Sequence, residues 1–162
     1  MSREVVSPEI VIRLTQILNK LYQQSEQQVG YHRGAIVEAL VRRLIHRRYG
    51  VGEFCLNNQR FVDDHGKAIT VTEVDVAALS TIRSKVEGYE CKISSSGFDP
   101  YDSINLKDLA DAAYERDYLV NVGFISLESD NLMKIRLQSR QLPEDIKLYG
   151  LDSVETLENF SF

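Results

Sequence analysis

Between residues 70 and 94 the chain repeats with a period of two, and that period restricts the fold more than any other feature. In VEGYECKIS, residues 86–94, Tyr89, Cys91 and Ile93 fall on one face of an extended segment and Glu90 and Lys92 on the other, because successive strand side chains alternate. The preceding run ITVTEVDVAALS sets Val74, Val76 and Ala78 on one face, with Glu73 and Asp75 opposite. Both runs carry the strand pattern. Residues 80–84 suffice to turn the chain, so an antiparallel pair is expected, with Asp75 beside Glu90 and Lys92. Two carboxylates and an ammonium on otherwise apolar strands have two readings. One is the wet face of an antiparallel sheet, with Asp75 and Lys92 as a cross-strand ion pair. The other is a site.

The rest of the chain supplies the layers around this pair. Ser7, Pro8 and Glu9 read as the start of a first helix, with Ile10, Leu14, Ile17, Leu18 and Leu21 on one face to about Gln24. The polar run QQSEQQ and Gly30 are expected to end it. A second helix is expected over 31–49, with Ala35, Ile36, Ala39, Leu40, Leu44 and Arg43 on its buried side and Glu38 at the edge of that stripe. Gly50 and Gly52 stop it. Residues 53–57 and 60–62 read as two short strands or one bent hairpin, and 63–66 as a turn. Residues 95–103 read as a loop broken by Gly97 and Pro100. Ser103 or Asn105 then caps a helix over 104–116, Asn105 with Asp108 resembling a capping pair. The apolar run 118–127 reads as a strand buried on both faces. Residues 131–139 fit a short helix or an extended segment, 146–149 a last strand, and Asp152 or Ser153 caps a closing helix to Glu158.

The bulk properties exclude some classes. The 162 residues fit one domain, 1–162, long enough to bury about two-thirds of its unfolded surface. No run of eighteen apolar residues could span a membrane, and MSREVVSPEI lacks the basic-then-apolar pattern of a signal peptide. Cys55 and Cys91 lie in apolar runs and are expected as buried, reduced thiols of a cytoplasmic protein. The three histidines have no zinc-ligand spacing with them. Net charge is −5, which argues against a general nucleic-acid coat. Its distribution is uneven: residues 31–49 hold five arginines and one glutamate, a net of +4. Cations also favour a helix C-terminus, so part of that cluster has a purely structural account.

A helix carrying Glu38, a three-stranded meander, a crossover helix and a buried strand resemble the core of the PD-(D/E)XK nuclease superfamily. GAIVEALVRRL resembles its first-helix motif, and TEVDVAAL followed by YECKIS resembles its metal-binding pair. The resemblance covers residues 31–127, and the tail IKLYGLDSVETLENF is similar to the Mrr and Holliday-junction-resolvase branches. Val74 stands where the motif has proline. The resemblance implies an α/β, restriction-endonuclease-like fold: a mixed central sheet flanked by helices in the order α-β-β-β-α-β, with an extra N-terminal helix and a C-terminal strand-helix. It implies Mg²⁺, with Mn²⁺ as substitute, on Asp75, Glu90 and the backbone carbonyl of Cys91, with Glu38 reaching a bound water or a second ion. Glu73, on the Asp75 face, is a weaker candidate ligand. Lys92 would orient or deprotonate the attacking water and offset transition-state charge, and a neighbouring cation would lower its pKa.

Substrate contacts would fall to Arg33, Arg42, Arg43, Arg47, Arg48, Lys107 and the serines at 94–96. Nothing in the sequence resembles a helix-turn-helix or a zinc finger. The function expected is a metal-dependent endonuclease acting on nucleic acid, DNA first, as a homodimer or with a partner subunit. The alternative is a binding or assembly module that keeps the fold without turnover, in which Glu38 pairs with Arg42 at i+4. The full acidic-basic set favours the enzyme; the net charge of −9 beyond residue 49, from eleven basic and twenty acidic groups, favours the module or a partner-dependent nuclease.

Overall fold

A strand with neighbours on both sides, one antiparallel and one parallel, organises the sheet: β3 (Lys85–Lys92). The computed structural model describes residues 26–140 and 142–161, with side chains from residue 34 onward. The expected helix over 7–24 and the Arg33 side chain lie outside the described residues. β2 (Val74–Ser80) pairs antiparallel with β3 in the register Val76–Tyr89 through Ser80–Lys85. The turn between them is tight. Ser84 takes a positive φ of 47°, and the Ser80 hydroxyl accepts the Arg83 amide at 3.1 Å.

β1 (Phe54–Gln59) adds antiparallel to the outer side of β2. On the other side β4 (Leu119–Ser126) and β5 (Ile146–Tyr149) run parallel to β3, giving a five-stranded mixed sheet in sequence order. Parallel neighbours need a crossover. It is supplied by α2 (Pro100–Tyr114), and a shorter helix α3 (Asp130–Leu137) links β4 to β5. Helix α1 (Glu26–His46) covers the opposite face. Val37, Val41 and Ile45 of α1 pack on Val76, Ala78, Tyr89 and Cys91. Leu106, Leu109 and Ala110 of α2 and Met133 of α3 pack on Val86, Val122 and Phe124. The element order of the described residues is thus the α-β-β-β-α-β arrangement expected from the sequence, with β5 and a 3₁₀ turn (Val154–Asn159) after it.

Several local expectations are corrected. α1 begins before Gly30 and ends at His46 rather than spanning 31–49; a single interior glycine costs a helix only about 1 kcal/mol. Its buried stripe is Val37, Val41 and Ile45, whereas Ala35, Ala39, Leu40 and Arg43 are exposed. Apolar residues surround more than half of this helix, and the β-branched stripe is the one that packs on the sheet.

The extended run before Val74 is not strand: the Asn105 side-chain oxygen accepts the amides of Val71 and Thr72 at 3.0 and 3.1 Å. Asn105 is therefore a buried clamp and not a cap. α2 starts earlier than expected, at Pro100, because Asp99 is its N-cap and Asp102 completes a capping box. Val74 packs with the α2-side cluster while Val76 packs with the α1 side. The face changes where the ladder to β3 ends, at Val76.

Candidate active site

The end of that ladder creates the site. Beyond Val76 the Cys91 amide has no partner on β2's backbone, and the Asp75 carboxylate takes it instead, Oδ2 accepting at 2.7 Å. The same oxygen accepts the Lys92 ammonium at 3.0 Å. Lys92 Nζ also lies 3.8 Å from Glu90 Oε2 and 3.8 Å from Asp102 Oδ1. Gly97 lies beside the lysine stem, where an added Cβ would sit 3.6 Å from Lys92 Cβ. Asp75, Glu90 and Lys92, singled out by strand alternation, therefore meet at the C-terminal end of β3. Asp102 joins them from the first turn of α2. Sequence reading missed it, although Asp99-Pro100-x-Asp102 is a helix-start pattern.

This is no solvated sheet face. Glu90 is 2% exposed, and its Oε1 is buried without a hydrogen-bond partner. Such a group is costly to leave charged. Burial first, then the Asp75 and Asp102 carboxylates, push Glu90 up to about 9, with Lys92 opposing. Burial also disfavours the Lys92 ammonium, but Asp75 and Asp102, aided by Glu90, outweigh it and hold Lys92 above its ordinary value. Without a cation the lysine is thus raised, not lowered, because carboxyl groups surround it.

Between its ordinary 4.5 and about 9, Glu90 is protonated when folded and ionised when unfolded. The native state then binds the extra proton, so its stability falls as pH rises through that window. Glu90→Gln is expected to flatten this slope and to melt higher than the wild type at pH 8 in EDTA. Thermal melts at pH 5 and pH 8 check it, and parallel slopes in the two proteins would assign the dependence elsewhere.

Glu38 comes from α1 rather than from the sheet and makes no hydrogen bond with these residues. It is half-buried on α1, and its Oε2 accepts the Asn57 side-chain amide of β1 at 3.1 Å. Its charge nonetheless reaches Cys91, whose thiol is raised by burial first and then by Asp75, Glu38 and Glu90. Both cysteines are free and buried.

Beyond Lys92, Glu128 fastens the serine loop: one oxygen accepts the Ser94 hydroxyl at 2.7 Å, the other the Ser95 amide at 3.0 Å. Arg136 of α3 donates to Ser94 Oγ at 2.9 Å and pairs with Glu128. Burial opposes ionisation of Glu128, but these serines and Arg136 hold it below its ordinary value. No local pattern marks Glu128 or Arg136 in the sequence.

The basic helix divides. Arg42 and Arg43 are exposed. Arg47 pairs with Glu158, and Lys107 with Asp111 one turn along α2. Arg48 turns inward, bidentate on the fully buried Glu87 at 2.7 and 2.6 Å. Glu87 precedes Lys92 by five residues, roughly 17 Å along a strand, so that pair lies at the far end of β3. An open cleft of about 310 Å³ lined by Arg48, Tyr49, Arg83, Lys85 and Phe160 is at that end too.

Among the described residues no group of three or more His, Cys, Asp or Glu side chains is arranged to hold a metal ion. None of their helices is long and apolar enough to cross a membrane. No protein-family model matches the chain, and no curated protein matches it. Among solved structures it is similar to the small subunit of the heterodimeric restriction endonuclease R.BspD6I, with a TM-score of 0.47 and 11% identity over 91% of this chain and 76% of that one.

Proposed function

We propose that this chain is a restriction-endonuclease-like, metal-dependent nuclease that hydrolyses phosphodiester bonds in nucleic acid, DNA being the first substrate to test. The observation that carries the reading is Lys92 Nζ within 3.8 Å of three carboxyl groups, one of which, Glu90, has a buried oxygen without a partner. An orphaned carboxyl oxygen beside a second carboxylate fits a hard divalent cation, and Mg²⁺ commonly rests on only one or two carboxylates plus waters. Asp75, Glu90 and the Cys91 carbonyl would hold Mg²⁺ or Mn²⁺, with Glu38 acting through a water or a second ion. When bound, the ion supplies charge stabilisation at the phosphate and a more acidic water.

The chain's own groups do the rest. Lys92 orients the attacking water and faces the charge that grows on the phosphate oxygens. The Cys91 amide fixes Asp75, and Asn105 holds the segment that leads into it. The phosphate backbone would meet Arg42, Arg43 and Arg33, with Arg47 and Lys107 joining if they leave their partners.

The test is purified protein with supercoiled plasmid, single-stranded DNA, junction DNA and RNA, each in Mg²⁺, Mn²⁺ or EDTA. Cation-dependent cleavage is expected; a protein inert toward all four in Mg²⁺ and Mn²⁺ would not be a self-sufficient nuclease. Calorimetry with Mn²⁺ is expected to show binding that Asp75→Ala removes, and equal binding by both would reject the ligand assignment. If Arg42 and Arg43 meet phosphates, removing each is expected to lower the salt slope of binding by about one. An unchanged slope would assign them to another surface.

A second reading has its own observation. Of the arginines in the basic segment, Arg47 and Arg48 are engaged by Glu158 and Glu87, which leaves Arg42 and Arg43 as its exposed cations among the described side chains. That favours a nuclease subunit, or a catalytically silent module, brought to nucleic acid by a second copy or a partner protein.

A further inference from the structure

Asp102 reaches the site by a route unlike that of the strand residues. Asp99 caps α2, accepting the Tyr101 and Asp102 amides at 2.7 and 3.1 Å, and Pro100 fixes the first helical position. In return Asp102 Oδ2 accepts the Asp99 amide at 2.6 Å. This capping box uses one oxygen and fixes the direction of the other. Oδ1 is left facing Lys92 at 3.8 Å, on a side chain 11% exposed.

The lysine has three hydrogens to donate and, at 3.0 Å, its short contact is with Asp75. Asp75 is also the carboxylate offered to a cation in the reading above. With a divalent ion bound, Asp75 and Glu90 would hold Lys92 less strongly and the ammonium would be repelled. The stem runs past Gly97, where an added Cβ would sit 3.6 Å from Lys92 Cβ, and a turn of its last torsions is enough to redirect the head. Asp102 Oδ1 is the remaining acceptor, about 1 Å beyond a charge-assisted hydrogen bond.

We propose that Asp102 is a positioning residue: it takes over the Lys92 ammonium when Asp75 is engaged by a cation, and so keeps the lysine over the reacting phosphate. This rests on the nuclease reading, but its first test requires neither nucleic acid nor turnover. Asp75→Asn removes the competing charge, and a crystal structure of that variant in EDTA is expected to show Lys92 Nζ within 3.2 Å of Asp102 Oδ1. In Asp75→Asn with Asp102→Asn the ammonium is expected to turn from position 102 toward Glu90 Oε2, 3.8 Å away, or toward solvent. Lys92 in solvent or on Glu90 Oε2 in the single variant, or unmoved in the double one, overturns the proposal. If Asp75→Asn does not fold, the same distance is read in wild-type crystals soaked in Ca²⁺, where a Lys92 still on Asp75 or in solvent overturns it.

The kinetic arm separates positioning from capping. Asn at 102 still accepts the Asp99 amide, so the melting temperature is expected to stay within a few degrees. kcat is expected to fall 10- to 100-fold, as small misplacements of a reacting group do, with KM within a few-fold and partial rescue by Asp102→Glu. A wild type that cuts nothing removes the nuclease reading while the crystallographic arm still reports on Asp102. A wild type that cuts, with Asp102→Asn equal to it, removes the role of Asp102 alone.

Discussion

Lys92→Met is expected to abolish Mg²⁺-dependent cleavage while leaving the fold in place. The side chain keeps its length against Gly97 and loses only the ammonium. If Lys92 merely pairs with Asp75, at 30% and 20% exposure, its loss would alter stability and cleavage would change little. If the ammonium faces the charge growing on the phosphate, its loss acts where the barrier is set, and comparable groups cost on the order of 10²–10³ in rate. Lys92→Ala is expected to match Lys92→Met, because charge and not bulk is at issue. Substrate affinity in Ca²⁺ should remain within a few-fold of wild type. Mn²⁺ should bind at least as tightly as before, since a competing cation has gone from beside Asp75. Single-turnover cleavage, binding in Ca²⁺ and Mn²⁺ calorimetry on the same preparations check the three expectations. Near wild-type cleavage by both variants would take Lys92 out of the mechanism.

The residues this prediction turns on were readable because strand alternation is local. Tyr89 and Cys91 facing away from Glu90 and Lys92 follows from a period of two, and a short turn at 80–84 sets Asp75 near them. The crossover helix was harder. Gly97 and Pro100 look like breakers, yet Pro100 after Asp99 begins α2 and sets Asp102 in its first turn. On α1 the apolar residues at 35, 36, 37, 39, 40, 41, 44 and 45 circle too much of the helix to name a buried face, so only packing selects Val37, Val41 and Ile45. The arginine cluster was legible as charge but not as partners. Glu158 lies 111 residues from Arg47, and Glu87 lies 39 from Arg48; no window of sequence relates them.

Glu87→Ala is expected to destabilise the protein by about 3–5 kcal/mol, the usual cost of breaking a buried ion pair. The carboxylate is fully buried on β3 and receives four donors: both terminal nitrogens of Arg48, the Tyr49 hydroxyl at 2.6 Å and the Tyr89 hydroxyl. Asn121 extends the network, donating to Tyr89 and accepting Tyr149 at 3.1 Å. Removing Glu87 leaves a guanidinium 12% exposed with no counter-charge, and two hydroxyls without their acceptor. Most domains hold only 5–15 kcal/mol in all, so the variant should unfold at a much lower urea concentration. The network itself need not be a net source of stability, because two charges had to be desolvated to make it. Glu87→Met with Arg48→Met is therefore expected to recover most of the loss, at or near wild-type stability. Urea titrations of both single variants and the double variant check this. Additive losses would mean that the two residues do not act as a pair. A Glu87→Ala cost below 1 kcal/mol would mean that Arg48 swings out to water, which would return it to the set of free cations at the end of α1.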